Sequence, residues 1–117
     1  MFIGNTFTNI DKNITIGTPT INNVFDCIKG ELLIHADVEI FKDNIIKNIN
    51  KDVFIYKGTY SGNIFNNIES QIELYSTSIL NNNIFDTIKG FSDCFSFGDN
   101  VSINDNIIKI FEGNINS

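Results

Sequence analysis

The sequence contains no arginine and no tryptophan, and alanine and proline occur once each, at Ala36 and Pro19. With 14 acidic residues against 8 lysines, the formal net charge is -6. A chain with this balance repels phosphate backbones, so nucleic acid is not an expected partner. No apolar run approaches the ~20 residues of a membrane span, and the opening MFIGNTFTNI has neither a basic leader nor a small-residue cleavage site, so no membrane insertion is expected. Good helix formers such as Ala, Leu, Glu and Gln are scarce, and no long window repeats its apolar residues at 3.6. The two cysteines, Cys27 and Cys94, fit no metal-ligand spacing and no C-x-x-C pair, and they read as free thiols serving as small apolar residues. A length of 117 residues fits one domain, 1–117, able to bury its own core.

What the chain does contain is repetition. NNVFDCIKG at residues 22–30 returns as NNIFDTIKG at residues 82–90, and both belong to a pattern that runs from end to end: GNTFTNI, NNVFDCI, DNIIKNI, GNIFNNI, NNIFDTI and DNIIKIF. Its anchors are Asn5, Asn23, Asn44, Asn63, Asn83 and Asn106, spaced by 18, 21, 19, 20 and 23 residues. Two residues after each anchor stand Phe7, Phe25, Ile46, Phe65, Phe85 and Ile108; five after stand Ile10, Ile28, Ile49, Ile68, Ile88 and Phe111. Nine and eleven after come Ile14 and Ile16, Leu32 and Ile34, Val53 and Ile55, Ile72 and Leu74, then Ser92 and Cys94. That alternation marks a strand with one buried face. A third apolar site recurs just before the anchor at Phe2, Phe41, Tyr60, Leu80 and Ile103, with Thr20 the exception.

Each repeat of roughly 20 residues thus holds three short β segments separated by Gly, Asn, Asp and Lys turns. One repeat cannot bury its apolar face alone. Stacked at the ~4.8 Å spacing of neighbouring strands, equivalent residues superpose and the inward faces merge into one column. The expectation is an all-β parallel solenoid of about six three-sided coils. An antiparallel sandwich would not make residue columns identical at a fixed period.

The motifs GNTF, NNVF, GNIF and NNIF, each followed by an inward Ile, resemble the repeats of right-handed parallel β-helix proteins of the pectin-lyase-like fold. The resemblance covers essentially the whole chain and implies stacked asparagines at a turn, with aliphatic and aromatic stacks inside. It implies little chemistry, because that fold is shared by polysaccharide lyases and hydrolases, tailspikes and adhesins. By analogy with such proteins it points to an extracellular, cell-surface or virion-surface setting. The arginine-bearing site of a pectate-lyase-like enzyme is missing, since the chain has no arginine.

The anchor asparagines read as a structural ladder whose amides bond from coil to coil, Asn also being tolerant of left-handed turns. Amide oxygens in single file do not surround a metal, and no cofactor or metal is implied. Three residues after the anchor stand Thr8, Asp26, Lys47, Asn66, Asp86 and Lys109; six after stand Asp11, Lys29, Asn50, Glu69, Lys89 and Glu112. Charged neighbours on adjacent coils are opposite in sign, as register-setting pairs should be. Asp26 and Asp86 lie three coils, about 14 Å, from each other, too far for a facing catalytic pair.

Twelve residues after the anchor come Gly17, His35, Tyr56, Tyr75 and Phe95. Alternation sends this column outward, so His35, Tyr56, Tyr75 and Phe95 form a candidate face. It serves as a stacking ladder, a protein-binding stripe or a platform for a sugar polymer. Asp37 and Glu39 share the outward side of IHADVEI with His35, but a lone histidine without a nucleophile is weak evidence for catalysis. The chain enters the repeat at MFIGN and leaves it at NINS without an evident cap, and Ile115 already falls on an inward site. Uncapped ends fit either a piece of a longer β-helical protein or ends that pair with other copies; on the second, preferred reading the chain is a non-catalytic structural solenoid that associates with itself, head to tail or laterally. The competing reading is a carbohydrate-binding or carbohydrate-cleaving domain using the aromatic face on a polysaccharide.

Overall fold

Asparagine and glycine at every corner, with β-branched and aromatic residues between, favour short strands over helices. The computed structural model describes residues 1–75, 78–91 and 102–108. The first coil consists of β1 (Phe2–Ile3), β2 (Thr6–Ile10) and β3 (Ile14–Ile16), and the second of β4 (Thr20–Ile21), β5 (Val24–Ile28) and β6 (Leu32–Ile34). The third opens with a 3-10 turn at Ala36–Val38 and continues through β7 (Glu39–Lys42), β8 (Ile45–Ile49) and β9 (Val53–Ile55). Next come β10 (Gly58–Ser61) and β11 (Ile64–Leu74), β12 (Ser78–Asn81) and β13 (Ile84–Phe91), and finally β14 (Ser102–Asn104) and β15 (Ile107–Ile108).

Every strand pairing among the described residues is parallel, and each joins a strand to its equivalent one coil away. The register runs Phe7, Phe25, Ile46, Phe65, Phe85, Ile108 down one arm of a sheet and Ile14, Leu32, Val53, Ile72 down its other arm, the two joined through β11, as the repeat alignment requires. The protein is a parallel β-solenoid. It has about five turns instead of the six expected, because the last repeat contributes only β14 and β15 among the described residues. A second difference lies in the fourth coil, where two of the three expected segments fuse into the single strand β11; in the fifth, β13 runs past the corner and, after a register shift, its Phe91 pairs with Ile72 where Ser92 was expected.

Inside, Phe25, Ile46, Phe65 and Phe85 form one buried file beside a second of Ile28, Ile49, Ile68 and Ile88. Phe7 stacks on Phe25 with ring centroids 5.2 Å apart, and Phe65 on Phe85 at 5.0 Å. Phe41, Tyr60 and Leu80 fill the third side. Tyr60 is tolerated there because its hydroxyl donates to the Tyr56 carbonyl at 2.9 Å; burial pushes its ionisation well up. Thr20, the odd member of this column, is fully buried and its hydroxyl donates to the Thr18 carbonyl at 2.7 Å. Among the described residues no buried side-chain nitrogen or oxygen lacks a hydrogen-bond partner.

Two columns of left-handed residues make the corners. The first is the residue preceding each anchor: Gly4, Asn22, Asp43, Gly62, Asn82 and Asp105, with φ between 55° and 71°. The anchors themselves are not left-handed, so their asparagine identity answers to hydrogen bonding alone. The second column stands four residues after the anchor, at Asn9, Cys27, Asn48, Asn67 and Thr87. There the ladder skips one residue, which is why the inward sites on either side are three apart and not two. Of the sequence-expected column members, Ser92, Cys94, Phe95, Lys109, Phe111, Glu112 and Ile115 lie outside the described residues.

Candidate functional site

The asparagine ladder is buried from Asn23 to Asn83. Each Oδ1 accepts the backbone N–H of the anchor one coil earlier: Asn23 from Asn5 at 2.8 Å, Asn44 from Asn23 at 2.8 Å, Asn63 from Asn44 at 2.8 Å, Asn83 from Asn63 at 3.0 Å and Asn106 from Asn83 at 2.8 Å. From Asn5 to Asn83 each Nδ2 donates forward to the next Oδ1, and from Asn23 to Asn106 each donates back to a carbonyl of the preceding coil, such as Phe41 for Asn63 at 2.8 Å. The amides are thus wholly engaged in holding coils together. At the first coil the series stops: among the described residues no donor reaches Oδ1 of Asn5.

That coil is also where the core opens. Phe2, Phe7, Ile10 and Ile14 occupy sites that are buried in the following coils, yet here they are only half-buried. Phe2, Phe7 and Ile14, with Ile16 and Phe25, line a largely apolar depression of about 320 Å³.

On the outside, Lys29 pairs with Asp11 at 3.5 Å and Lys47 with Asp26 at 3.9 Å, two of the cross-coil pairs expected from spacing. The Asn48 amide donates to Asp26 at 2.8 Å and, with Lys47 nearby, holds that carboxyl below its ordinary range. Asn67 donates to Asn48 at 2.7 Å, so a second, shorter amide ladder runs down the outer corner. Cys27 is exposed, contrary to the expectation that it packs as a small apolar residue. Its thiol is hydrogen-bonded to the Asp26 carboxylate, which pushes its ionisation up.

His35, Tyr56 and Tyr75 form a contiguous file whose backbone N–H groups donate to carbonyls of the preceding coil, those of Ile16, Ile34 and Ile55. Tyr56 and Tyr75 lie 4.4 Å apart with planes 3° from parallel, and His35 is tilted onto Tyr56 at 6.4 Å. The tyrosines are half-buried and cover each other's faces, so solvent meets mostly ring edges and hydroxyls. Leu33 and Phe54 stand in the adjacent outward column and broaden this patch. Phe95, the expected next member, lies outside the described residues.

IHADVEI does not remain a strand. His35 caps the Ala36–Val38 turn, its Nδ1 accepting from the Asp37 N–H at 3.1 Å, and Glu39 follows with φ of 60°. The 21-residue spacing from Asn23 to Asn44 supplies the extra length for this turn. Asp37, Glu39, Lys57 and Thr59 border an open depression of about 400 Å³ beside it. No group of three or more His, Cys, Asp or Glu among the described residues is arranged to hold a metal ion.

One outward column was visible in the repeat motif but carried no functional reading there. One residue after the anchor stand Thr6, Val24, Ile45, Ile64, Ile84 and Ile107, in register coil by coil. From Val24 on they are β-branched and apolar, and they are half-buried or, at Ile107, 50% exposed. Against known proteins, the chain matches no family model, no curated protein sequence and no solved structure. Its assignment as a parallel β-solenoid therefore rests on the strand pairing itself.

Proposed function

We propose that this protein is a structural, non-catalytic solenoid, wound right-handed in the pectin-lyase-like manner, that associates end to end with further copies of itself. The observation that carries the reading is the first coil: an apolar depression rimmed by Phe2, Phe7 and Ile14, beside the exposed Asn5, whose Oδ1 occupies the acceptor position of the ladder. The ladder defines what fits there. It calls for a backbone N–H and an amide N–H from an asparagine one coil earlier, above an inward Phe or Ile. Asn106 and Ile108, in the last described repeat, are residues of that kind. A head-to-tail contact does not close on itself, and growth into a fibre follows. The side chains that might otherwise serve chemistry support the same reading: Asp11 and Asp26 pair with lysines, and His35 caps a turn. The mutual covering of Tyr56 and Tyr75 favours a stabilising stack over a sugar platform, because a sugar ring needs an open aromatic face.

Sedimentation velocity and electron microscopy across the micromolar range test this. The expected result is a series of species lengthening with concentration, and shortened by Phe7→Lys and, separately, by Ile14→Lys, with circular dichroism confirming that each variant folds. A monodisperse monomer at every concentration would overturn the proposal.

A further inference from the structure

The aliphatic column of Val24, Ile45, Ile64, Ile84 and Ile107 spans four coil steps, about 19 Å at the strand spacing. Beside it on the same outer face runs the column Thr8, Asp26, Lys47, Asn66 and Asp86. An apolar stripe next to a stripe of alternating charge is a patterned surface, and the charges restrict what can lie on it. We infer that this face binds the same face of a second copy, inverted about a two-fold axis that lies in the contact plane, parallel to the strands, and passes through the fourth coil at Ile64 and Asn66.

The charge pattern selects that arrangement. A two-fold along the solenoid axis keeps every residue on its own coil: run between the two columns it lays the aliphatic column on the charged one, and run down the charged column it sets Asp26 on Asp26, Lys47 on Lys47 and Asp86 on Asp86. Such like-charge contacts are unfavourable. A two-fold parallel to the strands keeps each residue's position along its strand and reverses the order of the coils. Centred on the fourth coil, it puts Lys47 opposite Asp86 of the partner subunit, twice by symmetry, and Asn66 opposite itself. The apolar column is matched at the same time: Ile64 meets its own counterpart, Ile45 faces Ile84 and Val24 faces Ile107.

Other centres fail on one column or the other. Centring on the third coil sets Lys47 on Lys47, and centring between the third and fourth sets Asp26 on Asp86. Centring between the second and third pairs Asp26 with Lys47, but it lays Thr6 against Ile64 and leaves Ile84 and Ile107 uncovered. The contact is self-complementary, as an isologous interface must be. It uses a side of the coils, not their end, so it goes beyond the end-to-end reading and stands without it.

Sedimentation equilibrium on the full chain, with and without Phe7→Lys to suppress end-to-end growth, tests the inference. The expected result is a monomer–dimer equilibrium that survives Phe7→Lys and is weakened at least tenfold by Ile64→Lys. Lys47→Glu alone should weaken it, and adding Asp86→Lys should restore it, because the exchanged charges again face each other across the two-fold. Should Ile64→Lys disturb folding, the Lys47 and Asp86 variants decide. A monomer at the highest attainable concentration, a dimer indifferent to Ile64→Lys in a folded protein, or a double variant no tighter than Lys47→Glu would overturn it. Fibres lost in Phe7→Lys while the dimer persists would separate the two contacts cleanly.

Discussion

Thr87 sits at φ of 59°, in a region that its branched Cβ disfavours. Among the described residues, seven of the ten non-glycine residues with positive φ are Asn or Asp, whose short polar side chains suit that conformation; Cys27, Glu39 and Thr87 are the remainder. The backbone at position 87 is imposed by stacking on Asn67, so the residue is accommodated by its neighbours and not by its own preference. Thr87→Asn removes that mismatch and brings an amide next to Asn67, which already donates to Asn48 in the same corner file. The expected gain is about 1 kcal/mol, or roughly 4 °C in melting temperature for a chain of this size. Thermal melting by circular dichroism checks it, with Cys27→Asn expected to move the same way. No gain in either variant would mean that local φ strain is relieved by backbone adjustment.

At the scale of elements, the asparagine ladder binds each corner to the next through groups that have no other recourse. Asn63→Ala removes the acceptor for the buried Asn44 N–H and amide, and the donor for the Phe41 carbonyl. At about 1–3 kcal/mol for each stranded buried group, the loss exceeds roughly 3 kcal/mol. Asn5→Ala gives up only two 3.2 Å donations at an exposed residue, and its cost should stay within about 1 kcal/mol. Urea titration of the two variants reads the contrast; equal losses would show that the ladder does not act through burial. This ladder and the inward files were legible in the sequence because every coil must place the same residue type over the same residue type. The corner at Cys27 and Thr87 was less so: neither residue advertises a left-handed backbone, although inward sites three apart already required one residue out of alternation. The turn at His35 was hidden for a different reason. IHADVEI alternates well enough to pass for a strand, and only the longer spacing to Asn44 signalled the added turn. The aliphatic outer column was visible as letters but not as a surface, because exposure depends on which side of the coil each corner turns.

For the whole molecule, stacking makes stability nearly one-dimensional: a coil is held by the coils on either side, and local opening should start where one of them is absent. Strands β5 and β8 are bonded on both sides, whereas among the described residues β2 has a partner only in β5. Among the described strands, amide hydrogen exchange should therefore be faster in Thr6–Ile10 and Ile14–Ile16 than through β8 and the first half of β11. The gradient also distinguishes the two kinds of contact. End-to-end docking supplies β2 with a second hydrogen-bonded neighbour, so protection in Thr6–Ile10 should rise with protein concentration towards that of β5. A lateral dimer is made by side chains over strands already paired, and raising concentration should leave the protection of β2 nearly unchanged. Phe7→Lys, which blocks docking, should abolish the concentration dependence at Thr6–Ile10. If β2 were as protected in dilute monomer as β8, coils would be unfolding together, and the first coil would not be the open end on which end-to-end association depends.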